Sequence, residues 1–442
     1  MRKIWTILEK SLDRTTSSIA FIPALLAISG LLLSFLIVAI EYEPIIIELK
    51  KRITFLLVTS QEEGRLILGT LVGSIISMMV FSFSMVMIVL GRASSNLSPR
   101  VLPGLISNKP HQFVLGFYLG TILYSLIMIV NFQKNTEYTI PSFGILLAMA
   151  FGITCLSLFV YFIHSISKSI QVESIIYNIF KSTIKQMEIC HLNEKQVESL
   201  IPPIHGWREI CTEEAGYLKK MNTGHLLKLS VKYDFQLAIQ KPIGLFLVQG
   251  YPFLKINCSE EISRKTIEDI RACFTFYTED QVKDHFIFGF KQISEIATKA
   301  LSPGINDPGT AIKALDLLSV LFIKRMTINV PYYKVDLSEK IRIIYSPVSL
   351  EELIFHNLVP IREYGKADVL VLLKLLEVLK NMIYADREKK EFTGTLVETV
   401  RSCVQTAESF IQNSLDRQQV NSLINDIEEA LLKTHQFNYL KI

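Results

Sequence analysis

Hydrophobic and polar residues are unevenly distributed along the chain. Four stretches in the first third contain no charged residue, and they cover positions 19–40, 66–90, 113–130 and 143–163. Each is about as long as the 17–25 residues that a helix needs to cross a bilayer. The pattern predicts a domain of four transmembrane helices in residues 1–165. The first stretch is longer than the apolar core of a signal peptide, so we expect an uncleaved anchor.

The pattern changes after the fourth stretch. Isoleucines near a 3.6-residue period predict a connecting helix over 166–200, which the pair Pro202-Pro203 ends. Short β-prone runs separated by Gly/Pro turns predict a small β-rich module over 201–260, similar to barrel-sandwich modules. We expect an α+β segment at 261–345 and a helical domain at 346–442. The predicted fold class is an α-helical membrane protein with a mixed α+β cytosolic region.

Lys and Arg near the spans predict the orientation. They are frequent at the N-terminus, between the second and third spans and after the fourth span, but only Lys134 follows the third. The positive-inside rule therefore places both termini in the cytosol, so we expect a multi-pass protein of the cytoplasmic (inner) membrane. The first connection combines Lys50, Lys51 and Arg52 with several glutamates. Its amphipathic part, 45–58, is suited to lying along the outer membrane surface.

Composition narrows the function. Half of the residues are hydrophobic, a fifth are charged and the net charge is only +4, so nothing indicates a nucleic-acid partner. The six cysteines form no CxxC pair and are predicted to be reduced thiols. No catalytic, cofactor-binding or metal-binding motif is present, so we predict neither an enzyme nor a cofactor. The uncharged spans argue against a proton-coupled pump.

Small and hydroxyl residues recur along the spans. In the second span, Thr70, Ser74, Ser77 and Ser84 fall on one helical face. They either pack against another helix or line a narrow wet path in an oligomer. In the third and fourth spans, the Gly116-x-x-x-Gly120 motif and the spacing of Gly144, Ala148 and Gly152 favour close helix packing.

The stretch 301-LSPGINDPGTA-311 interrupts a helical pattern. Gly304 is expected to adopt a positive φ, Asn306 to close the turn, and Asp307 to cap a helix that begins with Pro308. This local chemistry predicts a rigid corner between two helices. The functional alternative is that Asn306, Asp307 and Thr310 face a cavity or a partner. One Asp and one Asn are too few for a metal site.

Several segments together resemble a bacterial family of predicted membrane proteins that is defined by domain of unknown function 2254. They are 81-FSFSMVMIVLGRASSNLSPRVL-102, 114-VLGFYLGTILYSL-126, 264-RKT-266 and 299-KALSPGINDPGTA-311. The resemblance implies four N-terminal spans and a cytosolic C-terminal region, with no implied activity. It singles out Arg264, and it draws attention to Arg92, Asn96 and Arg100 at the membrane–cytosol junction.

Two functional hypotheses follow. The first is a homo-oligomeric channel or facilitator for a small ion or solute, in which the second span lines the path and the cytosolic domains form a regulatory collar. The alternative is a membrane-anchored sensor or scaffold whose cytosolic domain binds a ligand or partner. The bilayer and further copies of the chain are the expected partners in the first hypothesis.

Overall fold

The computed structural model divides the chain into two compact units. We call Met1–Ser95 with Val101–Gln171 the membrane unit, and Asn96–Arg100 with Val172–Ile442 the C-terminal unit. The residues that the structure describes are 20–41, 43–96, 109–131, 140–169, 171–192, 202–258, 262–277, 285–328, 333–346 and 348–442.

The membrane unit is helical in its described part. Its helices are α1 (Phe21–Ile40), α2 (Pro44–Arg52), α3 (Gln61–Asn96), α4 (Lys109–Val130) and α5 (Ser142–Ser169), with a 3-10 turn at Thr54–Leu56. Among the described residues, α1, α3, α4 and α5 are long and apolar enough to cross a membrane. The four predicted spans are confirmed. At 36 residues, α3 is about 54 Å long and exceeds the hydrocarbon core of about 30 Å.

Glycines bring the spans into close contact. A Cβ atom built on Gly30 of α1 would lie 2.8 Å from the Cα atom of Gly120 on α4, and one on Gly116 would lie 2.8 Å from the Cα atom of Pro23. On α5, a Cβ at Gly152 would lie 2.6 Å from a methyl carbon of Leu71. Small residues here let helix backbones approach, which confirms the packing interpretation for the third and fourth spans.

The C-terminal unit combines sheets with helices. Its strands are β1 (Arg208–Cys211), β2 (Gly216–Met221), β3 (Phe235–Ile239), β4 (Phe246–Leu247), β5 (Pro252–Cys258), β6 (Phe274–Tyr277), β7 (Tyr333–Val335) and β8 (Ile341–Ile344). Its helices are α6 (Val172–Leu192), α7 (Thr223–Lys232), α8 (Arg264–Arg271), α9 (Ile287–Ala300), α10 (Pro308–Thr327), α11 (Leu350–Gly365), α12 (Val369–Asp386), α13 (Thr393–Phe410) and α14 (Ser414–Ala430).

The sheets differ from the predicted β module. One sheet has the order β1-β5-β3-β8-β7 and the other β4-β2-β6. The strand β8 pairs in parallel with β3, with Leu237 opposite Ile343, and β6 pairs with β2. Strands from both sides of position 260 therefore share the same sheets. The predicted boundary at 260 fails because strand pairing joins segments that are far apart in sequence, whereas no strand pairing among the described residues crosses the boundary at 345, which stays a prediction.

The predicted connecting helix over 166–200 is also corrected. The helix α5 ends at Ser169 and α6 begins at Val172. Buried Ile175, Ile176 and Thr183 lie on α6, which packs against α9 and α10 within the C-terminal unit. A Cβ atom at Gly289 of α9 would come within 2.8 Å of the Thr183 Cβ atom, so this glycine allows α6 and α9 to pack closely.

Candidate functional site

The hydroxyl face of the second span is exposed on the membrane unit. Thr70, Ser74, Ser77 and Ser84 are all exposed, and they follow one face of α3. The Ser77 hydroxyl donates a hydrogen bond to the Gly73 carbonyl oxygen at 3.0 Å. A Cβ atom added at Gly73 would meet no atom within 4 Å. Unlike the glycines of α4 and α5, this part of α3 is not used for packing within the described chain.

The same face becomes bulky toward its C-terminal half. Phe81 and Ile88 lie 11 and 18 residues after Thr70, which at about 100° per residue puts them on the hydroxyl face. Both are exposed, and the Phe81 ring contacts the Phe159 ring edge-on with centroids 5.7 Å apart. The face is therefore small and polar in its first half and contains large apolar side chains in its second half.

The segment predicted to form the membrane–cytosol junction is described only in part. Arg92 is exposed near the end of α3. Asn96 is the last residue of that helix. The Asn96 side chain and all of Arg100 lie outside the described residues. The predicted role of these three residues stays a prediction.

The corner at 301–311 satisfies its own polar groups. The backbone N–H of Asp307 donates to the Ala300 carbonyl oxygen at 2.8 Å. The Asp307 carboxylate accepts from the Thr310 N–H at 3.1 Å and from the Thr310 hydroxyl at 2.6 Å, and Pro308 opens α10. The left-handed residue is Asn306, with φ of 51°, and not Gly304 as expected. An Asn tolerates this conformation because its short side chain bonds locally.

Arg264 begins a different helix. It is the first residue of α8, which Ser263 caps by accepting from the Thr266 N–H. Its side chain is almost fully exposed, and its guanidinium lies 3.9 Å from the Glu268 carboxylate on the same helix. Exposed pairs of this kind contribute little to stability.

The C-terminal unit contains a cleft that the sequence pattern did not predict. It has a volume of about 820 Å³ and lies between α9, α11 and the loop Pro242–Leu245. Phe288 and Leu353 are buried in its apolar floor. Such a size and a largely apolar lining are typical of small-molecule sites. Lys299 and Ser302 also line it, so the cleft reaches the N-terminal end of the corner.

Polar groups follow both walls of the cleft. On α9, Lys291, Glu295 and Lys299 line the cleft at intervals of four residues. On α11, His356 and Pro360 line the opposite wall. Because proline has no N–H, the His356 carbonyl lacks the helical donor that position 360 would otherwise supply. A proline inside a helical pattern is the only sequence signal that pointed to this wall.

A hydrogen bond between buried groups joins the two cleft walls. The buried Ser294 hydroxyl on α9 donates to the Asn357 carbonyl oxygen on α11 at 2.6 Å. The Asn357 amide in turn donates to the Leu353 carbonyl oxygen at 2.7 Å. These bonds satisfy buried polar groups and hold the walls at a fixed separation.

Other candidate chemistry in the C-terminal unit is sparse. Within the described ranges, no three His, Cys, Asp or Glu side chains are grouped to hold a metal ion. Burial raises the pKa of Cys273 and of Cys403 to about 12, so these thiols are unreactive. Burial, with a further contribution from Arg325, lowers the pKa of His285 to about 4.

Comparisons with known proteins identify relatives. A family model described as "Predicted membrane protein (DUF2254)" matches residues 16–381. Uncharacterized protein Mb1321c of Mycobacterium bovis and Uncharacterized protein Rv1290c of Mycobacterium tuberculosis are each 22% identical over 315 residues. The match covers 67% of this chain and 59% of each relative, so the chain spans less than two thirds of their length. No solved structure matches.

Proposed function

The chain belongs to the family of predicted membrane proteins defined by DUF2254, and we propose that it forms a homo-oligomeric channel or facilitator in which α3 lines the path. The observation that carries this proposal is the exposed hydroxyl face of α3. Glycines of α1, α4 and α5 closely approach neighbouring helices, whereas the face of α3 around Gly73 remains open in the single chain. Several copies that turned this face toward a common axis would enclose a polar path.

The change from hydroxyl to large apolar side chains along the face suggests how permeation through the path is controlled. Thr70, Ser74 and Ser77 would offer hydroxyl groups to a permeating ion or solute. Phe81 would narrow the path further along, because a ring of such side chains excludes water and gates by dewetting. The C-terminal units would form a regulatory collar in the cytosol. We place the protein in the inner membrane with both termini cytosolic.

The decisive experiment compares two exposed hydroxyl residues. The Ser77 hydroxyl donates to the carbonyl four residues earlier on α3, and the Ser157 hydroxyl does the same on α5. Purified protein in planar bilayers is tested for potassium chloride current, and in vesicles for glycerol uptake by light scattering. We expect Ser77→Leu to block the flux, Phe81→Ala to increase it, and Ser157→Leu to leave it unchanged. Equal flux in the two leucine variants would rule out α3 as the lining.

The second candidate function is a membrane-anchored sensor or scaffold. The cleft favours it, because a pocket of about 820 Å³ with polar groups on both walls suits a small-molecule ligand. The corner supports this function less, since the Asp307 carboxylate and the Thr310 hydroxyl bond to each other. Native mass spectrometry of the full protein tests it: a co-purified small molecule that is lost in Leu353→Trp would favour the sensor.

A further inference from the structure

The segment Pro44–Leu56, which we call the foot, exposes apolar side chains close to the end of a span. It consists of α2 and the following 3-10 turn. Ile45 and Phe55 are 81% and 84% exposed, and Leu49 and Leu56 are also exposed. In water such a set of side chains is unfavourable, so something of matching chemistry covers them.

The position of the foot along the chain identifies what covers it. The 20 residues of α1 extend about 30 Å, which is the thickness of the hydrocarbon core, so its end at Ile40 lies at the membrane edge. Only residues 41–43 separate α1 from α2. A chain of that length reaches about 14 Å at most. The foot is therefore confined to the vicinity of the bilayer interface.

The charges of the foot distinguish between two modes of lipid contact. Ile45 and Leu49 lie one turn apart on one face of α2, while Glu48 and Arg52 lie to one side of them. Arg52 lies 3.9 Å from Glu48, and the Lys50 ammonium lies 2.6 Å from the Glu41 carboxylate. Because two of the three cations of the foot, Lys50 and Arg52, have acidic partners, apolar insertion rather than attraction to anionic headgroups is the expected main mode.

A buried carboxylate ties the foot to two spans. Glu41 follows α1 directly and is only 1% exposed. Besides its ion pair with Lys50, it accepts from the backbone N–H groups of Phe143 at 2.9 Å and Gly144 at 3.1 Å, at the start of α5. The Lys50 ammonium also donates to the Glu41 carbonyl oxygen at 3.2 Å. Moving the foot would take Lys50 away and leave the buried Glu41 carboxylate without its cation, which is costly.

We propose that the foot lies in the headgroup–acyl boundary of the bilayer that the same chain spans, and that Glu41 and Lys50 lock it to the ends of α1 and α5. This surface binds phospholipid through Ile45, Leu49, Phe55 and Leu56. The inference rests on the membrane spans and not on the proposed path along α3. In this arrangement, the position of the foot depends on the depth of the lipid interface and on how the lipids pack there.

Fluorescence quenching tests the lipid contact. In full-length protein with Trp5 and Trp207 replaced by phenylalanine, Phe55→Trp is compared with Glu48→Trp in phosphatidylcholine vesicles that carry acyl-brominated lipid. We expect bromine to quench Phe55→Trp about threefold more strongly, with no change when phosphatidylglycerol is added. Equal quenching would overturn the proposal. Blue-shifted emission without quenching would also overturn it, because a second protein copy would then cover Phe55.

Hydrogen exchange tests the lock. In nanodiscs, Lys50→Met should accelerate amide exchange across the foot by about tenfold or more, because its ion pair to a buried carboxylate is lost. The neighbouring exposed Lys51→Met should exchange like the wild type, and Lys50→Arg should stay close to it. Unchanged exchange in α12 shows that the protein is folded. The same rate in Lys50→Met and Lys51→Met would refute the lock.

Discussion

The closest contact between spans provides the sharpest stability prediction. In Gly30→Ala, the new Cβ atom would lie 2.8 Å from both the Cα and carbonyl carbon atoms of Gly120. Ordinary contacts between carbon atoms are about 3.5–4.0 Å, so α1 and α4 must separate by about 1 Å. Both partners are backbone atoms, and no rotamer change can relieve the clash.

The magnitude follows from two opposing effects. Overpacking of this kind costs about 1–3 kcal/mol. The substitution also stabilises the helix by up to about 1 kcal/mol, because alanine is a better helix former than glycine. Taking the middle of each range, a cost of about 2 and a gain of about 0.5 kcal/mol, we expect Gly30→Ala to lower the free energy of unfolding by about 1.5 kcal/mol.

A second glycine serves as the matched control. A Cβ atom at Gly91 on α3 would meet nothing within 4 Å, so Gly91→Ala should be neutral or slightly stabilising. The free energy of unfolding of each purified variant is measured in mixed micelles with an increasing fraction of SDS. If Gly30→Ala is as stable as Gly91→Ala, the described contact between α1 and α4 does not exist.

Three further predictions concern the C-terminal unit, each checked by thermal unfolding of the full protein in detergent. Asp307→Ala should cost about 1 kcal/mol because a helix cap is lost, and Asp307→Asn should cost less; an unchanged melting temperature in Asp307→Ala would contradict the cap. Gly289→Ala should cost about 1–3 kcal/mol by pushing α6 from α9, and Thr183→Gly should restore part of it; no rescue would contradict this contact. His285 has a pKa of about 4 in the folded protein, below its usual 6.5. Its contribution to the free energy of unfolding is therefore complete above pH 6.5 and declines as the pH falls toward 4. That loss reaches at most about 3 kcal/mol. His285→Gln should flatten this pH dependence, and an unchanged slope would contradict the assignment.

The candidate site was only partly accessible from the sequence. The hydroxyl face of α3 follows from helical periodicity, so Thr70 and Ser84 could be placed on one face in advance. Whether that face is covered depends on how the other spans pack, and the structure leaves it exposed. The cleft could not be anticipated, because Phe288 and Leu353 come from helices that the sequence does not show to be neighbours.

Features that depend on local physics can be predicted from the order of the residues. Spans are recognisable because about 20 apolar residues in a row have only one stable arrangement in lipid. The helix start at Asp307 is recognisable because a capping side chain accepts a hydrogen bond from the N–H group three residues later.

Contacts between distant segments become visible only in the folded chain. Folding pairs β3 with β8, and it brings Glu41 to the N–H groups of Phe143 and Gly144. Glutamates are common beside spans, and nothing in the neighbouring residues marks this one as buried. Such contacts arise from the packing of whole elements, in which every buried charge or strand edge must find a partner wherever the chain supplies one.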